Sequence, residues 1–239
     1  MVPHRVFHSN VTHPFRLMLT QVFRSILTHP RNQPQRNYIY TKRPPAMPIL
    51  TFHIKLFGTE PLVTRTFKVS SEIAMYELHH TIQVVMGWQN YHLYQFMVGD
   101  TVIADSRLWD IDEMGPITDV KKVSVGVVFS ELGTTAVYEY DFGDGWMHHL
   151  ELVDRSIQPT QEVLPIVISG DNACPPEDCG GIHGYKDLID ILKDPNHPEH
   201  REYKVWAGKN FNPSKFSLDA CNAELKKLTK YIKEYEKGF

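Results

Sequence analysis

The part of this 239-residue chain that most restricts its fold is a pair of strand-like runs facing each other across Gly143-Asp144-Gly145. Ala136 to Phe142 and Met147 to Val153 both read as strands. The glycines between them supply the positive φ that a tight turn requires, so the segment predicts a β-hairpin. With Met147–Val153 extended, Trp146, His148 and Leu150 share one face, while Met147, His149 and Glu151 share the other.

The same reasoning extends in both directions. Ile49 to Phe57 alternates with Leu50, Phe52, Ile54 and Leu56 on one face. Gly58-Thr59-Glu60-Pro61 is a turn, and Val63 to Val69 alternates again, giving a second hairpin. Ser70 or Ser71 is positioned to cap a helix that runs to Met86, with Ile73, Leu78, Ile82 and Val85 at helical spacing and Gly87 ending it. Tyr91 to Val98 reads as a third strand. Residues 105–122 are a polar connection, Val123 to Leu132 is open between strand and short helix, and Val163 to Ser169 is a further strand. The carboxy-terminal third is helical over about 184–193, 197–207 and 217–235. Ser217 caps the last of these helices, which presents Leu218, Cys221, Leu225, Leu228 and Ile232 on one face. Strands followed by helices predict an α+β fold with a mixed, mostly antiparallel sheet that opens as a β-grasp-like hairpin, helix and strand.

Charge divides the chain. Residues 1–46 carry seven basic side chains and no acidic one, which leaves 18 basic against 28 acidic residues in 47–239, a formal charge of −10. An acidic body is a poor nucleic-acid binder, because phosphate contacts need cationic side chains. The basic segment fits three descriptions: a mitochondrial transit peptide, with Phe15, Leu19, Val22, Phe23 and Ile26 along one helical face; a disordered arm; or translated sequence upstream of a true start at Met47. Residues 47–239 are expected to form one domain. No stretch approaches the roughly 18 apolar residues of a membrane span. Three cysteines are too few, and odd in number, for a disulfide framework, which favours a cytoplasmic location, or a mitochondrial one if the transit reading holds.

Polar chemistry gathers in two motifs. The first holds Tyr138, Tyr140, Asp141, Asp144, Trp146, His148, His149 and Glu151. A carboxylate of Asp141 or Asp144 standing beside His148 would orient the imidazole and raise its pKa, for acid–base work or metal ligation. Alternatively the aspartates bond the amides of their own turn. The second motif, Cys174-Pro175-Pro176-Glu177-Asp178-Cys179-Gly180-Gly181-Ile182-His183, spaces Cys174, Cys179 and His183 as C-x4-C-x3-H. Thiolates with neutral imidazole suit Zn²⁺, and His148 or Cys221 would complete four ligands. The other readings are a packed loop with buried thiols and with Glu177 and Asp178 capping the next helix, or a reactive cysteine. His79 and His92 sit at core edges, as packing residues or as ligands. P-loop, Rossmann, HExxH, G-x-S-x-G, helix-turn-helix and zinc-finger patterns are all absent from the sequence.

Taken in order, the segments resemble the plasmid pRiA4b ORF-3-like family. They are Arg65 in its hairpin, Glu77-Leu78-His79, Met86-Gly87-Trp88, His92 to Phe96, Tyr138 to His148 and Ala173 to Gly181, followed by Gly184-Tyr185, Trp206, Phe211-Asn212-Pro213 and Phe216-Ser217-Leu218. The resemblance covers about residues 48–230. Thr64 stands where the family usually has Trp, and Cys221 where an aliphatic residue is usual, which makes Cys221 a core substitution. The resemblance implies an association with plasmids and insertion elements, and no established activity or cofactor. The expectation is a binding or accessory module for a protein or small ligand. The alternatives are a metal-dependent hydrolase-like enzyme built on the two motifs, and a DNA-associated passenger protein.

Overall fold

The computed structural model describes residues 47–157 and 162–238. The expectations for residues 1–46 lie outside these. The strands are β1 (Ile49–Leu56), β2 (Thr64–Ser70), β3 (Tyr94–Val98), β4 (Thr101–Ala104), β5 (Thr118–Asp119), β6 (Thr135–Tyr140), β7 (Trp146–Ser156) and β8 (Ile166–Asp171). Between and after them come α1 (Met75–Met86), α2 (Ile111–Met114), α3 (Val125–Val128), α4 (Gly181–Lys193), α5 (His200–Trp206), α6 (Leu218–Leu225) and α7 (Leu228–Tyr235). The strands form one sheet in the order β5-β4-β3-β6-β7-β1-β2-β8, antiparallel throughout except for the short β4–β5 pair. The fold is α+β, as the order of elements predicts.

The expected hairpin is β6–β7, with Tyr138 opposite His148 and Tyr140 opposite Trp146. It lies between the β1–β2 hairpin and β3. Leu50, Phe52, Ile54 and Leu56 are all fully buried on the predicted face of β1, and each such side chain contributes about 1.5–3 kcal/mol by leaving water.

Helix α1 is buried nearly all round, because β-sheet side chains such as Tyr138 pack on one side of it and α6 and α7 on the other. Its interior therefore contains His79, His80 and Gln83, which need partners there. Gly87 ends it in the left-handed region (φ 90°), as expected.

The helix start differs from the prediction. Neither Ser70 nor Ser71 is the N-cap. Ala74 is, with its amide donating to Glu77 Oε2 at 2.7 Å. Met75 and Tyr76 donate to the carbonyls of Val123 and Val120, so a neighbouring segment satisfies the first-turn amides that a serine would otherwise serve.

The predicted 217–235 helix is interrupted at Lys226-Lys227. There ψ approaches zero and Lys227 N–H bonds back three residues to Glu224, so the apolar stripe continues through a tight turn. Ser217 does cap its first half, accepting the Ala220 amide. Strand β4 and the single-turn α2 fall in stretches too short for periodicity to mark.

Candidate functional site

The two polar motifs meet at the tip of the β6–β7 hairpin. Asp141 is left-handed (φ 58°) and its carboxylate divides its contacts. Oδ1 accepts the amides of Gly143 (3.0 Å) and Asp144 (3.3 Å), while Oδ2 lies 3.6 Å from His92 Nε2. The turn-bonding role and the outward role thus belong to different oxygens of one group. His92, in the connection from α1 to β3, also faces Asp178 Oδ1 at 3.1 Å. Asp178, on the proline-glycine loop, is left-handed as well (φ 58°). Backbone in that region costs a non-glycine residue about 1–3 kcal/mol, and the surrounding contacts hold both aspartates there. His92 Nε2 donates a hydrogen bond to neither carboxylate despite the short distances. One ligand atom each from His92, Asp141 and Asp178 falls within 4.8 Å of the others.

Further contacts lock loop to hairpin. Tyr140 donates its phenol proton to Glu177 Oε1, and Glu177 Oε2 accepts the Gln89 amide at 3.0 Å. Burial, then the neighbouring Glu177 carboxylate, pushes the Tyr140 pKa far up, so the phenol stays a donor. Trp88 stacks on Tyr140 (4.9 Å between centroids) and its indole N–H donates to the Pro175 carbonyl at 3.0 Å. Asp144 Oδ2 accepts the amide of Gly180, the N-cap of α4, at 3.3 Å. The carboxylate at this helix start is therefore Asp144, in place of the expected Glu177 or Asp178.

Several expected site residues lie elsewhere. His148 is not beside Asp141 or Asp144. It points inward from β7, fully buried, and its Nδ1–H is shared between the carbonyls of Tyr138 and Trp146 at 3.1 Å each. Burial lowers its pKa to about 4, the opposite of the expected rise, because no carboxylate compensates the lost solvation. Trp146 is buried next to it, 6.1 Å from Trp88.

Cys174, Cys179 and His183 do not converge. Cys179 Sγ points to the Gly181 carbonyl and its pKa is pushed up to about 12 by burial, then by Asp144. Burial also raises Cys174. His183 is exposed on α4. Among the described residues, no metal-spaced group includes a thiol. The C-x4-C-x3-H spacing yields two packed thiols in the loop and an exposed imidazole on α4, with no metal-spaced group among them.

Cys221 is buried beneath α1, with its Sγ near the Val84 carbonyl, as a core residue. Arg65 is buried with its guanidinium donating to the carbonyls of Val85, Thr64 and Asp171, under the Phe216 ring at 3.7 Å. It ties β2 and β8 to the end of α1. His79 is fully buried and stacked on Tyr94 with centroids 3.3 Å apart. Sequence reasoning did not find Gln83 or Asn90. Asn90 is left-handed (φ 62°), and its position just after the helix-ending glycine was the available signal.

The structure thus defines a class: an α+β module in which a hairpin tip, a proline-glycine loop and the α1–β3 connection form one polar junction. The chain belongs to the plasmid pRiA4b ORF-3-like protein family, whose model matches residues 48–220. It is 32% identical over 187 residues to the uncharacterized protein y4hQ of Sinorhizobium fredii, covering 77% of this chain and 90% of that one. It also resembles the crystal structure of MM3350 from Methanosarcina mazei, a protein of unknown function, with a TM-score of 0.64 and 29% identity. That match covers 73% of this chain and 97% of MM3350. Among the described residues, no helix is long and apolar enough to cross a membrane.

Proposed function

We propose that residues 47–239 form a binding module that takes a divalent cation between His92, Asp141 and Asp178, and through it an oxygen-bearing ligand. One observation carries this reading: three ligand atoms from three distant chain segments gather within 4.8 Å, with the imidazole nitrogen hydrogen-bonded to neither carboxylate. Ligands held at 2.0–2.2 Å in a tetrahedron stand about 3.3 Å apart, close to the 3.1 and 3.6 Å separations from His92 Nε2. One nitrogen and two carboxylate oxygens suit Zn²⁺ or Mn²⁺ better than a thiolate-seeking ion. The Asp178 side chain is 68% exposed, so the outer side of such an ion stays open to a ligand.

The partner is then a small molecule or protein offering a carboxylate, phosphate or carbonyl oxygen. The formal charge of −10 over 47–239 argues against nucleic acid. A reducing, intracellular setting belongs to the same reading and rests on the odd cysteine count. The open coordination also favours a second reading, metal-assisted hydrolysis.

Elemental analysis of full-length protein purified without chelator, followed by calorimetric titration of the stripped protein with Zn²⁺ and Mn²⁺, tests the site. One ion per chain is expected, and no uptake of either ion would remove the proposal. Turnover of a phosphate or carboxylate ester by the loaded protein would favour the second reading.

A further inference from the structure

Helix α1 carries a hydrogen-bonded chain that stops short at both ends. Gln83 Nε2 donates to the Tyr138 hydroxyl at 2.9 Å, and Tyr138 donates to His79 Nδ1 at 2.9 Å. His79 Nε2–H donates to Asn90 Oδ1 at 2.7 Å, and Asn90 Nδ2 faces His80 Nδ1 at 3.4 Å. A neutral imidazole has one donor and one acceptor nitrogen. The Asn90 amide, offering oxygen to His79 and N–H to His80, therefore sets both tautomers. His80 keeps its proton at Nε2 as a donor, and Gln83 keeps Oε1 as an acceptor. Neither atom has a partner among the described residues, although His80 is only 4% and Gln83 2% exposed. Buried polar atoms are nearly always bonded, so two orphans at the ends of one chain call for a common explanation.

The two residues stand at i and i+3 on α1 and so share a face. Both line a cavity of about 520 Å³, opposite Leu228, Tyr231 and Tyr235 of α7. That volume lies within the range of small-molecule sites. The cavity's acidic residues are already engaged: Glu224 with Lys227 and Tyr231, Glu234 with Lys230. Among the lining residues the buried polar atoms without a partner are one donor, His80 Nε2–H, and one acceptor, Gln83 Oε1, and Val84 and Leu228 add apolar lining. A hydrocarbon would leave both unpaired, and a carboxylate would set its charge against Gln83 Oε1.

We infer that this cavity binds a small, flat, neutral molecule with an amide N–H beside its carbonyl, a lactam or carboxamide. Its N–H donates to Gln83 Oε1 and its carbonyl accepts from His80 Nε2–H. None of the cation-site residues takes part, so the two readings stand or fall separately.

The test uses the full chain with 2-pyridone, followed by saturation-transfer NMR and calorimetry, with N-methyl-2-pyridone as the probe lacking the donor. Binding of 2-pyridone is expected, with the methylated probe weaker by about ten-fold, the worth of one hydrogen bond. The His80 imidazole ¹⁵N signals should move while those of His148 stay. Val84→Trp, which fills the cavity without touching the chain of bonds, should abolish binding. No binding of 2-pyridone up to its solubility, equal binding of both probes, or unchanged His80 signals would each overturn the inference. So would full binding by a folded Val84→Trp protein. Should that variant fail to fold, the two probes and the His80 signals decide the matter on the wild-type chain.

Discussion

Gly181 approaches Asp144 so closely that a Cβ on the glycine would lie 2.5 Å from the Asp144 carbonyl oxygen. The two residues belong to different motifs, and their contact makes the hairpin tip and the proline-glycine loop a single packed unit. Gly181 also has φ 66°, so a side chain there meets both a backbone clash and an unfavourable conformation.

Gly181→Ala is therefore expected to lower unfolding stability by about 2–4 kcal/mol. Gly133→Ala is the control, since Gly133 shares the positive φ (81°) but has open space around it. It should cost only about 1–2 kcal/mol, the conformational part alone. Urea titration of both variants checks the difference, and equal losses would mean that the motif contact carries no energy.

The second prediction separates the carboxylate site from the cysteine motif. Asp141→Asn keeps Oδ1 for the turn amides and removes the charge facing His92, so stability should change little while Mn²⁺ affinity drops about 10- to 100-fold. Asp178→Asn should do the same, on an exposed side chain. Cys174→Ala, Cys179→Ala and His183→Ala should leave affinity at the wild-type value. Manganese titration followed by electron paramagnetic resonance reads all five, and loss of binding in a cysteine variant with none in Asp141→Asn would reverse the assignment.

These two cases show what the sequence could and could not display. The glycine turn exposed the β6–β7 hairpin, and the two-residue strand period exposed the face shared by Trp146, His148 and Leu150, because both are local properties. Gly87 was legible as a helix end for the same reason. The cluster proposed to hold a cation was not, since His92, Asp141 and Asp178 come from three separate segments of the chain, and no spacing links them. Cys174, Cys179 and His183 offered a ready spacing instead, but they form no metal-spaced group. His148 lies two residues inside β7, so the register that pairs it with Tyr138 carries it inward, away from the tip where the carboxylates stand. The expected Ser70 or Ser71 cap of α1 failed because the true partners of the α1 amides, Val120 and Val123, are more than 40 residues away in the chain.

Tyr140 and Glu177 form the third test. Tyr140→Phe leaves both Glu177 Oε1 and the Tyr91 amide, which donates to the phenol oxygen at 3.1 Å, without that partner. A cost of about 1–3 kcal/mol is expected. In a double-mutant cycle with Glu177→Ala, the two residues should show a coupling energy of about 1 kcal/mol or more. Strict additivity would mean that this contact does not hold the loop.

The last prediction concerns acid. Burial holds the His148 pKa at about 4, and the rings around it, Trp88 and Tyr138, offer no negative charge to restore it. In the unfolded chain the same imidazole titrates near 6.5. Between these values the unfolded state binds a proton that the folded state refuses. Stability from this group is therefore complete above about pH 6.5 and declines as pH falls towards 4, by up to a few kcal/mol. His80, also held at about 4 mainly by burial, and His79 and His53, likewise lowered by burial, act in the same direction, so His148 carries only part of the wild-type decline. His148→Phe should be less stable at neutral pH, because the Tyr138 and Trp146 carbonyls lose their donor, yet its stability should fall less steeply between pH 6.5 and 4. The slope, read from urea titrations across that interval, separates the lost titration from the lost hydrogen bonds, which are independent of pH. Parallel slopes for wild type and variant, or a His148 proton resonance titrating near 6.5 in the folded protein, would show that the imidazole is not held neutral by burial.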